Sequence, residues 1–82
     1  MTREEIEKTA WAQRYRQECP DSYQEAVEYA TCEGMHVDVY QTNVSGIKKW
    51  IIEIDGIDFC LDIFPTKKQA MNLCKEMKWK VV

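Results

Sequence analysis

Glycine, proline and histidine are all scarce in this 82-residue chain: three, two and one, respectively. So few glycines leave no glycine-rich loop able to cradle a phosphate. A single histidine, His36, leaves no nucleophile–base pair legible in the sequence and no partner for a histidine-rich metal site. The four cysteines, Cys19, Cys32, Cys60 and Cys74, are separated by 13, 28 and 14 residues. They contain no C-x-x-C, and His36 does not complete a zinc spacing, so free and partly buried thiols are expected in place of a metal or a disulfide framework. No apolar run approaches the roughly 18 residues that a membrane span requires. The opening MTREEIEKTA is charged where a signal peptide would be apolar, so the expected setting is cytoplasmic, with no membrane partner.

What is present is ordinary globular material: 45% hydrophobic and 30% charged residues. A chain this short has material for one core, so a single domain over residues 1–82 is expected. The net charge is only −3 but is unevenly spread. Residues 1–16 carry +1, residues 17–47 carry −6, residues 48–64 carry −2 and residues 65–82 carry +4. This alternation is the most informative global feature of the chain.

The hydropathy pattern predicts an α+β fold. Thr2 and Glu5 fit a capping box opening a helix over about 3–17. Its apolar residues do not form one clean stripe: Ile6 and Ala10 point one way, while Trp11, Ala12 and Tyr15 lie more than a quarter turn away. Trp11 and Tyr15 therefore either complete the core or form an aromatic anchor for a partner or a second copy, giving a homodimer. Cys19-Pro20 breaks the helix, and Ser22 with Glu25 opens a second one over about 22–33, closed by Gly34. Tyr23, Ala26, Val27 and Ala30 share its buried face, leaving Glu25, Glu28 and Cys32 opposite.

From Met35 the period changes to two. Strands are predicted over about 35–41, 48–55 and 57–64, forming a three-stranded antiparallel meander, with Gln41–Ile47 as a loop. Asp55-Gly56 between isoleucines is the strongest hairpin signal, of the type I′ kind. In the third strand the alternation assigns Ile57, Phe59, Leu61 and Ile63 to the core and Asp58, Cys60, Asp62 and Phe64 to water. Pro65-Thr66 ends that strand and caps a last helix over about 67–78. Ala70, Leu73, Cys74 and Met77 form its buried stripe, and residues 79–82 read as a short C-terminal edge strand or a frayed helix end.

Two surfaces follow. With this phase, Asp38, Glu53, Asp58 and Asp62 emerge together from the sheet, with His36 at the rim. Such acids either keep an exposed sheet face soluble or dock it onto a basic surface. Catalysis would need unequal environments and a pocket, and a hard cation would need more converging oxygens, so neither a catalytic residue, a cofactor nor a metal is expected. The lysines of the last helix, Lys67, Lys68, Lys75 and Lys78, form the opposite pole. Lys67 and Lys68 oppose the helix dipole, a cost of about 0.3–1 kcal/mol each that an anion would offset.

Helix, three antiparallel strands and helix, from Ser22 to Trp79, resembles the double-stranded RNA-binding domain. Thr66-Lys67-Lys68-Gln69-Ala70-Met71 is similar to that family's K-K-x-A-K signature, with Met71 where its last lysine stands. The likeness covers about 60 of 82 residues and implies phosphate contacts by Lys67 and Lys68. Glu25 and Glu28 lie on the helix that in the family reads the minor groove, where carboxylates repel the backbone. By size and acidity the chain also looks like small phage-encoded inhibitors, including anti-CRISPR proteins, which offer carboxylates in place of phosphates. That class implies a non-enzymatic, protein-binding role in which the acidic surface of Glu25, Glu28, Asp38, Glu53, Asp58 and Asp62 meets a basic, nucleic-acid-binding groove. The alternative is a nucleic-acid-binding module that uses the lysines of the last helix.

Overall fold

The computed structural model describes every residue from Met1 to Val82 and is α+β. Two compact units divide it, Met1–Glu33 and Gly34–Val82.

The first unit is helical: α1 (Arg3–Glu7), α2 (Ala10–Glu18), a 3₁₀ turn (Pro20–Ser22) and α3 (Tyr23–Ala30). Its opening capping box is formed as the sequence predicts: Thr2 Oγ1 accepts from the Glu5 N–H at 3.2 Å, and Glu5 Oε1 accepts from the Thr2 N–H at 2.9 Å. The single helix predicted over 3–17 is instead two. Thr9 divides it, its hydroxyl donating back to the Ile6 carbonyl at 2.7 Å and accepting from the Ala12 N–H at 3.1 Å. One side chain thus ends α1 and caps α2, which re-aims the apolar residues that a single helix leaves out of line. Ile6, Trp11 and Ala12 are all buried.

Ahead of α3, Ser22 makes no capping hydrogen bond; it closes the 3₁₀ turn begun at Pro20, so the helix starts at Tyr23 and not Ser22. It ends at Ala30, three residues short of the predicted bound, and Gly34 (φ +70°) serves the turn that leads into the sheet. The predicted stripe of Tyr23, Ala26, Val27 and Ala30 is buried, and both α1 and α2 contact α3. Arg16 lies over the Tyr23 ring at 5.9 Å, and the Arg3 guanidinium donates to the Gln24 side chain.

The second unit is a four-stranded mixed sheet with one helix: β1 (His36–Val44), β2 (Ile47–Ile54), β3 (Cys60–Phe64), α4 (Lys67–Met77) and β4 (Lys80–Val81). The strand order is β3-β2-β1-β4, with β1–β2 and β2–β3 antiparallel and β4 parallel to β1. The sheet is therefore the expected meander extended by the short C-terminal strand. Thr66 caps α4 by accepting from the Gln69 N–H at 3.3 Å. α4 packs on β1, β2 and β3, burying Ala70, Leu73, Cys74 and Met77 together with Val37, Ile52, Ile54 and Leu61. Each fully buried Val, Ile or Leu contributes about 1.5–3 kcal/mol.

The two turns exchange the roles expected of them. Val44 pairs directly with Ile47, and the intervening Ser45 (φ 52°) and Gly46 (φ 80°) are both left-handed, the type I′ signature. The segment read as a loop is thus paired strand up to a two-residue turn. At Asp55-Gly56 only Gly56 (φ 79°) is left-handed, and the Ile57 N–H bonds to the Ile54 carbonyl at 3.1 Å. That turn lacks the twist of a type I′ hairpin; residues 57–59 meet β2 at Ile54, whose N–H donates to the Phe59 carbonyl at 3.1 Å, and the regular ladder of β3 begins at Cys60 rather than at residue 57.

A β-bulge then reverses the phase of β3. Glu53 pairs with Cys60 and Ile52 with Asp62, which leaves Leu61 as the extra residue. Leu61 is fully buried, but Ile63 is set opposite Ile51 and is 44% exposed. The expectation that Ile57 and Ile63 face the core is thus overturned: the first lies outside the strand and the second lies beyond the bulge.

Candidate functional site

The face of the sheet opposite α4 is organised in rows that the β1–β2 register defines. Asp38 stands directly across from Glu53, Tyr40 from Ile51, Thr42 from Lys49 and Val44 from Ile47. β3 extends two of these rows, placing Cys60 beside Glu53 and Ile63 beside Ile51. Alternation explains the composition: Val37, Val39, Ile52 and Ile54 take the other side of the same two strands.

The acidic row is held by a hydrogen bond along the diagonal. Tyr40 donates its hydroxyl to Glu53 Oε2 at 3.0 Å. The phenol is pushed above its usual value of 10.0, first by that bond and then by burial and by the charges of Glu53, Asp58 and Cys60. Asp58, exposed in the segment before β3, therefore acts on the same patch. His36 is exposed and pairs with Lys80 of β4 at the other margin.

Asp62 is placed apart from this row. Its register partner is Ile52, so the bulge carries it toward the opposite face, and its Oδ1 accepts the Ile63 N–H at 2.8 Å. Of the four sheet carboxylates read together from the sequence, the structure groups Asp38, Glu53 and Asp58. No three His, Cys, Asp or Glu side chains converge in a geometry suited to a metal ion.

In the helical unit, Glu25 and Glu28 are exposed on α3 and line an open groove of about 430 Å³ with Tyr29 and Cys32. Trp11 is 2% exposed, its ring 5.5 Å from that of Tyr15 at a tilt of 52°. It belongs to the interior, so the aromatic surface there is reduced to the half-buried Tyr15.

The lysines divide between the two ends of α4. Lys67 and Lys68 open the helix and Lys75 and Lys78 close it, so that about 10 Å separates Lys68 from Lys75 and about 16 Å Lys67 from Lys78 at roughly 1.5 Å per residue. Lys67 Nζ sits 5.5 Å from the centre of the Trp50 ring. Since Trp50 adjoins Lys48 and Lys49 on β2, the sheet end away from the acidic row is basic. Lys48, Lys49 and Tyr40 were not singled out by sequence reasoning. The signal available for the last two is the alternation itself, which sets Tyr40 on the side of Asp38 within the strand predicted over 35–41 and Lys49 on the side of Glu53 within that over 48–55.

Comparison with known proteins finds no matching family model, no matching curated protein and no matching solved structure.

Proposed function

We propose that this chain is a non-enzymatic protein-binding domain whose acidic surface takes a basic protein partner. In its sharpest form the partner is a nucleic-acid-handling enzyme and the chain a phage-type, anti-CRISPR-like inhibitor that occupies the groove where phosphates would lie. The observation that carries the reading is the cross-strand pair Asp38–Glu53, displayed on a sheet and braced by Tyr40. Carboxylates fixed on paired strands meet a basic surface without the ordering cost of flexible side chains, and their field speeds encounter. Glu25 and Glu28 add a second acidic surface on α3.

A pull-down from nuclease-treated host lysate tests this. Asp38→Lys with Glu53→Lys removes capture of the basic partner, Lys67→Glu with Lys68→Glu leaves it intact, and added duplex DNA or RNA competes for the captured protein. The opposite mutational pattern overturns the proposal.

The second reading is a nucleic-acid-binding module using Lys67 and Lys68 with Lys75 and Lys78. The observation that favours it is the Lys67–Trp50 contact beside Lys48 and Lys49, which pairs cations with an aromatic ring. Fluorescence anisotropy with duplex RNA decides it: binding that weakens steeply as salt rises and is lost in Lys67→Glu supports the module.

A further inference from the structure

The exposed face of the sheet is complementary to itself. Its three central rows run from acid (Asp38, Glu53), through aliphatic and phenolic (Tyr40, Ile51, Ile63), to base and hydroxyl (Thr42, Lys49). The outer rows sit two residues apart from the middle one on each side, about 7 Å along the strands. Apolar surface is exposed on the same face: Ile63 is 44% exposed, and at the turn end Val44 is 42% and Ile47 60% exposed.

We infer that this face binds a second copy of the chain, sheet to sheet, about a two-fold axis running along the row Tyr40–Ile51–Ile63. Rotation about that line turns the sheet over and reverses position along each strand. Ile51 then falls on Ile51 of the second copy, Glu53 on Lys49 and Lys49 on Glu53, while Asp38 falls on Thr42. The contact closes on itself, as an isologous interface must, and gives a dimer with no open end. Charge complementarity selects this occupant: a head-to-head arrangement that kept strand direction would stack Glu53 on Glu53 and Lys49 on Lys49, which like-charge repulsion disfavours. A face three strands wide is small for a permanent interface, so the association depends on concentration and weakens with salt.

The inference rests on the reading of the acidic row as a docking surface and assigns its basic counterpart to the second copy's Lys49. Sedimentation equilibrium from about 1 μM to about 1 mM tests it. The unaltered chain passes from 9.7 kDa to twice that mass across the range. Lys49→Glu alone and Glu53→Lys alone each remain monomeric, because each stacks like charges twice. An equimolar mixture of the two variants recovers the dimer, since every Glu again meets a Lys; this recovery also shows that both variants are folded. A chain that stays at 9.7 kDa throughout overturns the inference, as does a mixture that stays monomeric while the unaltered chain dimerises. If all forms are monomeric yet the Asp38→Lys, Glu53→Lys variant loses capture of a basic protein, the dimer falls and the docking reading stands.

Discussion

The Tyr40 hydroxyl reaches across from β1 to Glu53 of β2, donating to Oε2 at 3.0 Å within a patch that also feels Asp58. The bond ties the acidic row to the aliphatic one and gives the face a spectroscopic reporter. Because the protonated phenol is the donor, ionisation breaks the bond and sets two negative charges side by side. Glu53→Gln therefore returns the phenol toward 10.0, and alkaline titration of phenolate absorbance, with Tyr40→Phe as the blank, resolves the shift. With the folded value raised, this contribution to stability is complete below pH 10.0 and declines as pH rises through the folded value.

The thiols separate by burial. Cys19, Cys32 and Cys60 are exposed, whereas Cys74 lies on the buried face of α4, where burial pushes its thiol up to about 11. Under native conditions at neutral pH three of the four cysteines react with an alkylating reagent, and the fourth reacts only on unfolding; mass spectrometry counts the adducts. The unfolded thiol ionises first, so Cys74 contributes stability below pH 9.0 that is lost between there and about pH 11.

The phase reversal in β3 has its own mutational signature. Leu61→Ala empties a fully buried site and costs about 2–5 kcal/mol, whereas Ile63→Ala, two residues on but 44% exposed, costs under about 1 kcal/mol. Urea unfolding of the two variants measures the difference. Equal losses would mean that the strand alternates without the bulge.

Lys78 ends α4 in the left-handed conformation (φ 61°), with the Trp79 N–H returning to the Cys74 carbonyl at 2.9 Å. A side chain there carries a steric cost that glycine avoids, so Lys78→Gly raises stability by about 1 kcal/mol. A higher urea midpoint with an unchanged slope is the expected result.

Much of this architecture is legible in the sequence because short-range chemistry writes it. The Thr2–Glu5 box, the Thr66 cap and the stripes of α3 and α4 are local signals, and each appears in the structure. The breaks and phase changes are where reading ended. Thr9 interrupts a helix without glycine or proline, and its only trace was an apolar stripe that did not line up. The Leu61 bulge has no marker residue, so simple alternation carried Asp62 to the wrong side. Ser45-Gly46 lies between Val44 and Ile47, but the polar residues around them, Gln41–Asn43 and Lys48–Lys49, make the stretch read as a loop, whereas Asp55-Gly56 stands between isoleucines that continue into apolar alternation. Hydrophobic context marked the wrong turn; backbone twist chose the other.

The extra residue at Leu61 works as a register pin. For β3 to slide along β2, the bulge would have to migrate through the ladder and withdraw Leu61 from its socket. With Asp55 bonded to the His36 carbonyl and Phe59 to the Ile54 N–H, the exposed tip Gly56–Asp58 is thereby relieved of setting the alignment. Its length can change, by insertion or by engineering, while Ile63 and Cys60 keep their places beside Ile51 and Glu53.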